Sequence, residues 1–276
     1  MLKTFYIIFL FAIFKCDGDV FYGAYKKNGV ILNLMSTPRN QNQPKICGAS
    51  WAFSIASSMS DQFNLIKTEE FPEVNLSPQM LISCFAPDVM RTCDYLNSTE
   101  EAEMEIILTE LKQDGIVDES CNNWHADVKQ QCNNKAKCMD CANGENIHNE
   151  PNCYAKDYHS FKLRDYVKLT STKTGSDRNL ELANLLYVAL MDDGPAVCHM
   201  NHSNDLFHYR SDNAELYTDN GDLNEYSTWV SVVGIVTLAS APNVTKAWVI
   251  RHSFGENVGH NGLIYINADP DLNSYK

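Results

Sequence analysis

The chain has 276 residues, enough to bury a substantial core in one large domain or two small ones. Its composition is that of a globular protein, and a formal charge of −13 argues against nucleic acid and against anionic membrane surfaces as partners. A soluble acidic secreted protein is sufficient to account for that charge.

Residues 1–18 have the pattern of a secretory leader: Lys3, then an apolar run from Phe5 to Phe14, ending at the small residue Gly18. The run is too short to span a bilayer, and a buried N-terminal strand is the other reading it allows. No later segment is apolar enough to cross a membrane. Of ten Cys, Cys16 falls in the leader, which leaves an odd nine, so at least one is unpaired in an oxidising compartment. Cys138-Met-Asp-Cys141, with Cys132 and Cys153 nearby, would fit a zinc site in isolation; secretion favours disulfides. No metal and no cofactor are expected.

From Arg39 the text reads RNQNQPKICGASWAF. Apolar residues then recur at Ala52, Ile55, Ala56, Met59, Phe63 and Ile66, which predicts a helix with Ser50 in its first turn. Backbone N–H groups and the positive end of the helix dipole point at whatever sits there. Ser77 and Pro78 are the N-cap and first position of a short helix reaching Cys84. Ser98 to Asp114 is a third helix, with a Ser98/Glu101 capping box and Gly115 as its stop. Strand-rich text follows at Tyr158–Leu169, Ala196–Met200, Trp229–Val236, Ala247–Arg251 and Gly262–Ile266, interrupted by a helix over Asp177–Met191 that ends at Asp193-Gly194-Pro195. A helix-rich half followed by a strand-rich half predicts a two-domain α+β protein.

The segment around Ser50 resembles the active-site segment of papain-like cysteine peptidases, with Cys47, Gly48, Trp51, Ala52 and Phe53 keeping the pattern. The likeness is to the cathepsin Z type, which carries a three-residue insertion, here Asn42-Gln43-Pro44, between the oxyanion Gln and the nucleophile. It covers roughly Tyr25 to Ile266 and includes the Cys spacings from Cys121 to Cys153. The resemblance implies a helical left domain (residues 19–140), a β-barrel-like right domain (residues 141–276) and a cleft between them, with no prodomain after the leader. It also implies disulfides Cys47–Cys93, Cys84–Cys132, Cys121–Cys138 and Cys141–Cys153, with Cys198 free and buried.

Carried over position by position, the resemblance makes Gln41 the oxyanion donor, Ser50 the nucleophile position (Cys in the family), Thr228 the His position and His252, opening His252-Ser-Phe-Gly, the Asn position. Serine is a competent nucleophile when a base takes its proton. With Thr228 no base stands at the expected place. A helix dipole contributes at most about 2 kcal/mol, or roughly 1.5 pKa units, against an alcohol pKa near water's, roughly 15.7. The one alternative base is His252; the other histidines, His199 and His202 included, fall in no motif and read as surface or loop residues.

Asn42, Trp51, Tyr95, Leu96 and Phe254 are the expected cleft residues. Bulky Tyr95 and Leu96 stand where the family has glycines and would narrow the groove. Asn42 replaces a charged carboxylate-binding group with a neutral one. Asn97, Asn201 and Asn243 are expected glycan acceptors, and Asn75 lies where the fold buries it. The expectation is therefore a monomeric, secreted or lysosomal (vacuolar) pseudoprotease whose cleft holds a peptide or a protein protease inhibitor. Two alternatives stand beside it: a glycosylated surface or matrix protein, and a hydrolase using Ser50 with His252.

Overall fold

The computed structural model describes residues 2–9, 20–27, 30–67, 73–86, 93, 101–142, 152–223, 225–238 and 245–268. In chain order the elements are strands β1 (Leu2–Phe9), β2 (Val20–Phe21), β3 (Tyr25–Lys27) and β4 (Val30–Leu32), then helices α1 (Ser50–Ile66), α2 (Pro78–Met80), α3 (Glu101–Gln113) and α4 (Asn134–Lys137). Next come strands β5 (Met139–Ala142), β6 (Asn152–Ala155) and β7 (Asp165–Leu169), helix α5 (Gly175–Asp192), β8 (Ala196–His202), α6 (Asp205–His208), β9 (Tyr226–Leu238), β10 (Thr245–Arg251) and β11 (Leu263–Asn267).

The local signals explain most of these. Ser77 caps α2 by accepting the Met80 N–H, and the helical path continues as a π turn through Phe85. Gly115, at φ 73°, ends the third helix in the left-handed region that suits glycine. The four disulfides form with the implied pairing, and Cys198 is buried and free.

A seven-stranded antiparallel sheet runs β11-β10-β9-β8-β1-β7, with β2 also paired to β9. Two cores flank it. One gathers α1, the α2 turn and α3 through Phe53, Ile55, Met59, Leu76, Met104 and Leu108. The other lies between α5 and the sheet, through Leu186, Leu190, Val230, Val232, Trp248 and Ile264. Along β9, Trp229 points to the helical core, whereas Val230 and Val232 point to the strand core, as period-two alternation requires.

The apolar run expected as a leader lies along the sheet, with Phe5 opposite Leu169 on β7 and Cys198 on β8. An uncharged apolar run carrying aromatic and β-branched residues is as good a strand as it is a leader. The expected domain division at 140/141 falls inside the β5–β6 hairpin, Tyr22 and Leu34 pack in the strand-rich core, and Leu163 packs in the helical one. Asn201, an expected glycan acceptor, is 9% exposed on β8, opposite Ser227. Tyr95, Leu96, Asn97 and Asn243 lie outside the described residues.

Helix α1 is buried almost all round, and its polar stripe explains how. Ser54, Ser58 and Asp61 recur at helical spacing and face β9 and β10. Ser58 Oγ donates to Ser231 Oγ (3.0 Å), which donates to the Ser54 carbonyl (3.2 Å). Asp61 meets Arg251 fork to fork, Nη1 to Oδ1 at 3.1 Å and Nη2 to Oδ2 at 2.8 Å, with side chains 0% and 2% exposed. Asp61→Ala is expected to lower stability by about 3–5 kcal/mol because it strands the guanidinium. Asp61→Leu with Arg251→Met is expected to restore most of the loss, both read as urea midpoints. Equal losses in single and double variants would show that the pair is not the cause.

Candidate functional site

Three segments converge on the start of α1. The first carries Gln41. Its backbone N–H bonds the Ser253 carbonyl at 2.9 Å, and its Oε1 accepts from Ser253 Oγ at 2.6 Å, so the amide of this fully buried side chain is held in one orientation. The second is α1 itself, which opens at Ser50 with Ala49 as an N-cap that supplies no side-chain bond and no acidic residue in the first turn. The third is the end of β10 and the loop after it, carrying His252, Ser253 and Phe254. A bridge between Asn40 and Phe254 and a bond from the Gly255 N–H to the Arg39 carbonyl stitch the first and third segments together. Gly255 sits at φ 84°, where a Cβ would come within 3.1 Å of the Asn40 side chain.

Thr228 and Trp229 bring β9 to the same point. Ser50 Oγ accepts the backbone N–H of Trp229 at 3.0 Å. Thr228 is 3% exposed, and its hydroxyl has no hydrogen-bond partner among the described residues. Ser50 and Thr228 are thus brought together through the peptide that joins Thr228 to Trp229.

His252 is not brought to Ser50 by any hydrogen bond among the described residues. It is 3% exposed and both ring nitrogens are taken. Nδ1 accepts the Phe254 N–H at 3.0 Å, and Nε2 lies 3.1 Å from the Val258 carbonyl. An N–H can only donate, so the network assigns the proton to Nε2 and leaves the ring neutral. Burial pushes its pKa down to about 4, with Arg210 and His202 also opposing a charge.

The expected cleft residues divide. Asn42 is half-buried, and its N–H bonds Asn40 Oδ1. Trp51 is 4% exposed and Phe254 is 6% exposed. Trp51 belongs to the helical core, and Phe254 stacks on His252 with centroids 5.2 Å apart, so both act as wall rather than as presented surface.

Sequence reasoning missed His202. It is buried on β8, stacked on Tyr226 and edge-on to Phe207 and Phe254, and burial lowers its pKa. Its place in a strand running on from Met200 was the available signal. It also missed the two arginines beside the site. Arg251 precedes His252, and Arg39 bonds Glu119 (2.9 Å), Ser57 Oγ (2.8 Å) and the Leu76 carbonyl (2.8 Å). Among the described residues no cluster of His, Cys, Asp or Glu could hold a metal, and no helix is long and apolar enough to cross a membrane.

With the geometry in place, comparison with known proteins is informative. The family description "Papain family cysteine protease" matches residues 32–275. The chain is 31% identical to cathepsin Z of Onchocerca volvulus over 140 residues, 50% of this chain and 40% of that protein. It is 25% identical to tubulointerstitial nephritis antigen of Bos taurus over 232 residues, 80% of this chain and 45% of that protein. The chain therefore spans less than half the length of these curated relatives. Digestive procathepsin L 3 of the Tenebrio molitor larval midgut shares the fold at 19% identity, with a TM-score of 0.57 over 90% of this chain and 64% of that one. Procathepsin L2 from the same tissue does so at 20% identity, with a TM-score of 0.58 over 85% and 59%.

The depressed His252 pKa has a measurable consequence. A histidine that resists protonation when folded contributes stability present above its unfolded pKa, about 6.5, and lost as pH falls towards 4. Between pH 7 and 4 the protein is expected to lose on the order of 3 kcal/mol more than His252→Asn does, measured by urea denaturation. Parallel losses in the two proteins would place a titrating imidazole elsewhere.

Proposed function

We propose that this chain, which belongs to the papain family of cysteine proteases, is a pseudoprotease of the secretory route: a cathepsin Z-like scaffold that holds a peptide or a protein inhibitor in its cleft without turning it over. The observation that carries this reading is the use of the Ser50 hydroxyl as an acceptor for the Trp229 N–H, with no imidazole bonded to it. A serine nucleophile needs a group that takes its proton. Thr228 offers a hydroxyl, and His252 spends Nδ1 on Phe254 and Nε2 on Val258. The four disulfides support passage through an oxidising compartment, and either secretion or a lysosomal lumen fits them.

Binding in such a cleft retains a physical basis after the chemistry is gone. Gln41 keeps its amide in a fixed pose, and the N-terminus of α1 lacks an anionic partner in its first turn. Amides and a helix N-terminus attract carbonyl oxygens and carboxylates. A peptide's own C-terminal carboxylate is therefore the expected anchor, weaker than in a cleft that adds a cation at Asn42.

The test separates binding from turnover. Ser50→Cys alone is expected to leave hydrolysis of a mixed peptide library at background, because no base is restored. Ser50→Cys with Thr228→His and His252→Asn is expected to gain a thiol alkylated by iodoacetamide at least tenfold faster at pH 6 than in the single variant, since a paired imidazolium lowers the thiol pKa. Hydrolysis by the wild-type chain that is lost in Ser50→Ala would overturn the proposal.

A further inference from the structure

Beneath the site, α1 and the sheet do not close completely. A cavity of about 10 Å³ lies between them, lined among others by Arg39, Ser54, Ser57, Trp229, Ser231 and Arg251. That is room for one water-sized sphere. Its position is revealing: Arg39 lies two residues before Gln41, and Arg251 one residue before His252. Anything held there touches the roots of two site segments and the flank of α1.

The lining is lopsided in charge and in hydrogen bonding. It includes two guanidinium groups and no carboxylate; Asp61 and Glu119, which pair with the arginines, are not among its walls. Arg39 Nε–H is buried with no acceptor. Ser57 Oγ accepts from Arg39 Nη2 and has no acceptor for its own proton among the described residues. The other wall hydroxyls are committed, Ser54 to the Trp51 carbonyl, Ser231 to the Ser54 carbonyl and Ser253 to Gln41 Oε1. Two unassigned donors, one of them on a cation, therefore belong to residues that line this small space. A buried donor without an acceptor is costly, and a cationic donor more so. A small anion accepts from both at once and is attracted by both guanidiniums, whereas a water must also find acceptors for its own two protons.

We propose that this cavity is a halide site, occupied by chloride, which ties the segment before Gln41 to the strand before His252 through Arg39, Ser57 and Arg251. The site lies below the cleft and is independent of whether the cleft performs chemistry. Only anions of about one atom's size fit it; carboxylates, phosphate and sulfate are too large. Because the ion binds the folded chain alone, it adds stability that grows with the logarithm of its concentration.

Two measurements on the full chain test the proposal. Crystals soaked in sodium bromide and measured at the bromine edge are expected to show one anomalous peak among Arg39, Ser57 and Arg251. Replacing sodium gluconate by sodium chloride at constant ionic strength is expected to raise Tm by about 3–6 °C at ten times the dissociation constant. Ser57→Ala is expected to fold, with a lower Tm in gluconate because Arg39 Nη2 loses its acceptor, and to lose at least half of the chloride-dependent rise. Absence of a bromide peak in well-diffracting crystals, with equal Tm in the two salts, would overturn the proposal and leave a water in the cavity. A chloride effect that persists unchanged in Ser57→Ala would place the halide elsewhere and overturn it equally.

Discussion

The pairing of Asp61 with Arg251 is the constraint on which the arrangement of the site depends. It joins the middle of α1 to the last residue of β10, 190 positions apart in sequence, in a place that excludes water. Burying two charges is unfavourable unless the geometry is excellent and the remaining lone pairs are satisfied. One half of the contact meets both conditions: Arg251 Nη1 donates to Asp61 Oδ1 and reaches the Ser36 carbonyl and hydroxyl, each at 3.0 Å, and Ser36 donates its N–H to Asp61 Oδ1 at 2.6 Å. The other half, Nη2 against Oδ2 at 2.8 Å, is an ion pair whose two atoms have no hydrogen-bond partner among the described residues. Three chain segments are thus fixed to one another within a few residues of Gln41, Ser50 and His252. Apolar packing alone would hold them in contact but with less directional control, because dispersion has little angular preference while a guanidinium fork does.

The same seam explains a helix that breaks the ordinary amphipathic rule. Helix α1 has no solvent face, so its polar residues cannot be solvated. Each must find a partner inside, and the serines do so along β9 and within the helix itself, as Ser58 does with Ser231 and Ser60 with the Ala56 carbonyl. Such a network is specific where an apolar seam would tolerate sliding. A shift of one residue between α1 and β9 would unpair Ser58 and Asp61 together, so the register that places Ser50 against Trp229 is enforced from three turns further along the helix.

Much of this was legible in the sequence, and the parts that were not share one cause. Periodicity from Ala52 to Ile66 fixed α1, and Ser77-Pro78 fixed the start of α2, because those signals live within a few residues of one another. The strands β8 to β11 followed from their β-branched and aromatic runs. The disulfides came from the family likeness, since spacing alone leaves their connectivity open. What escaped depends on distant partners. Arg251 read as the end of a strand until Asp61 was set beside it, and His202 as a loop residue until the aromatic side chains of Phe207, Tyr226 and Phe254 surrounded it. The text of the first strand reads equally as a strand or as a leader, and no local pattern separates the two.

His252 carries the argument about chemistry one step further. A base is useful only if its lone pair faces the proton to be taken and its pKa lies near the working pH. In this fold the ring's lone pair sits on Nδ1 and is spent on a backbone N–H two residues on, while the protonated Nε2 is spent on Val258. Freeing the ring for Ser50 would break two buried hydrogen bonds and the stack on Phe254, and would leave a peptide N–H and a carbonyl unpaired in the interior. Those losses, at about 1–3 kcal/mol for each stranded group, come before any gain from deprotonating an alcohol. The three positions therefore fit one another: Thr228 brings a hydroxyl and no imidazole, His252 is held against the backbone as a structural hydrogen-bonding group, and the serine hydroxyl rests against β9.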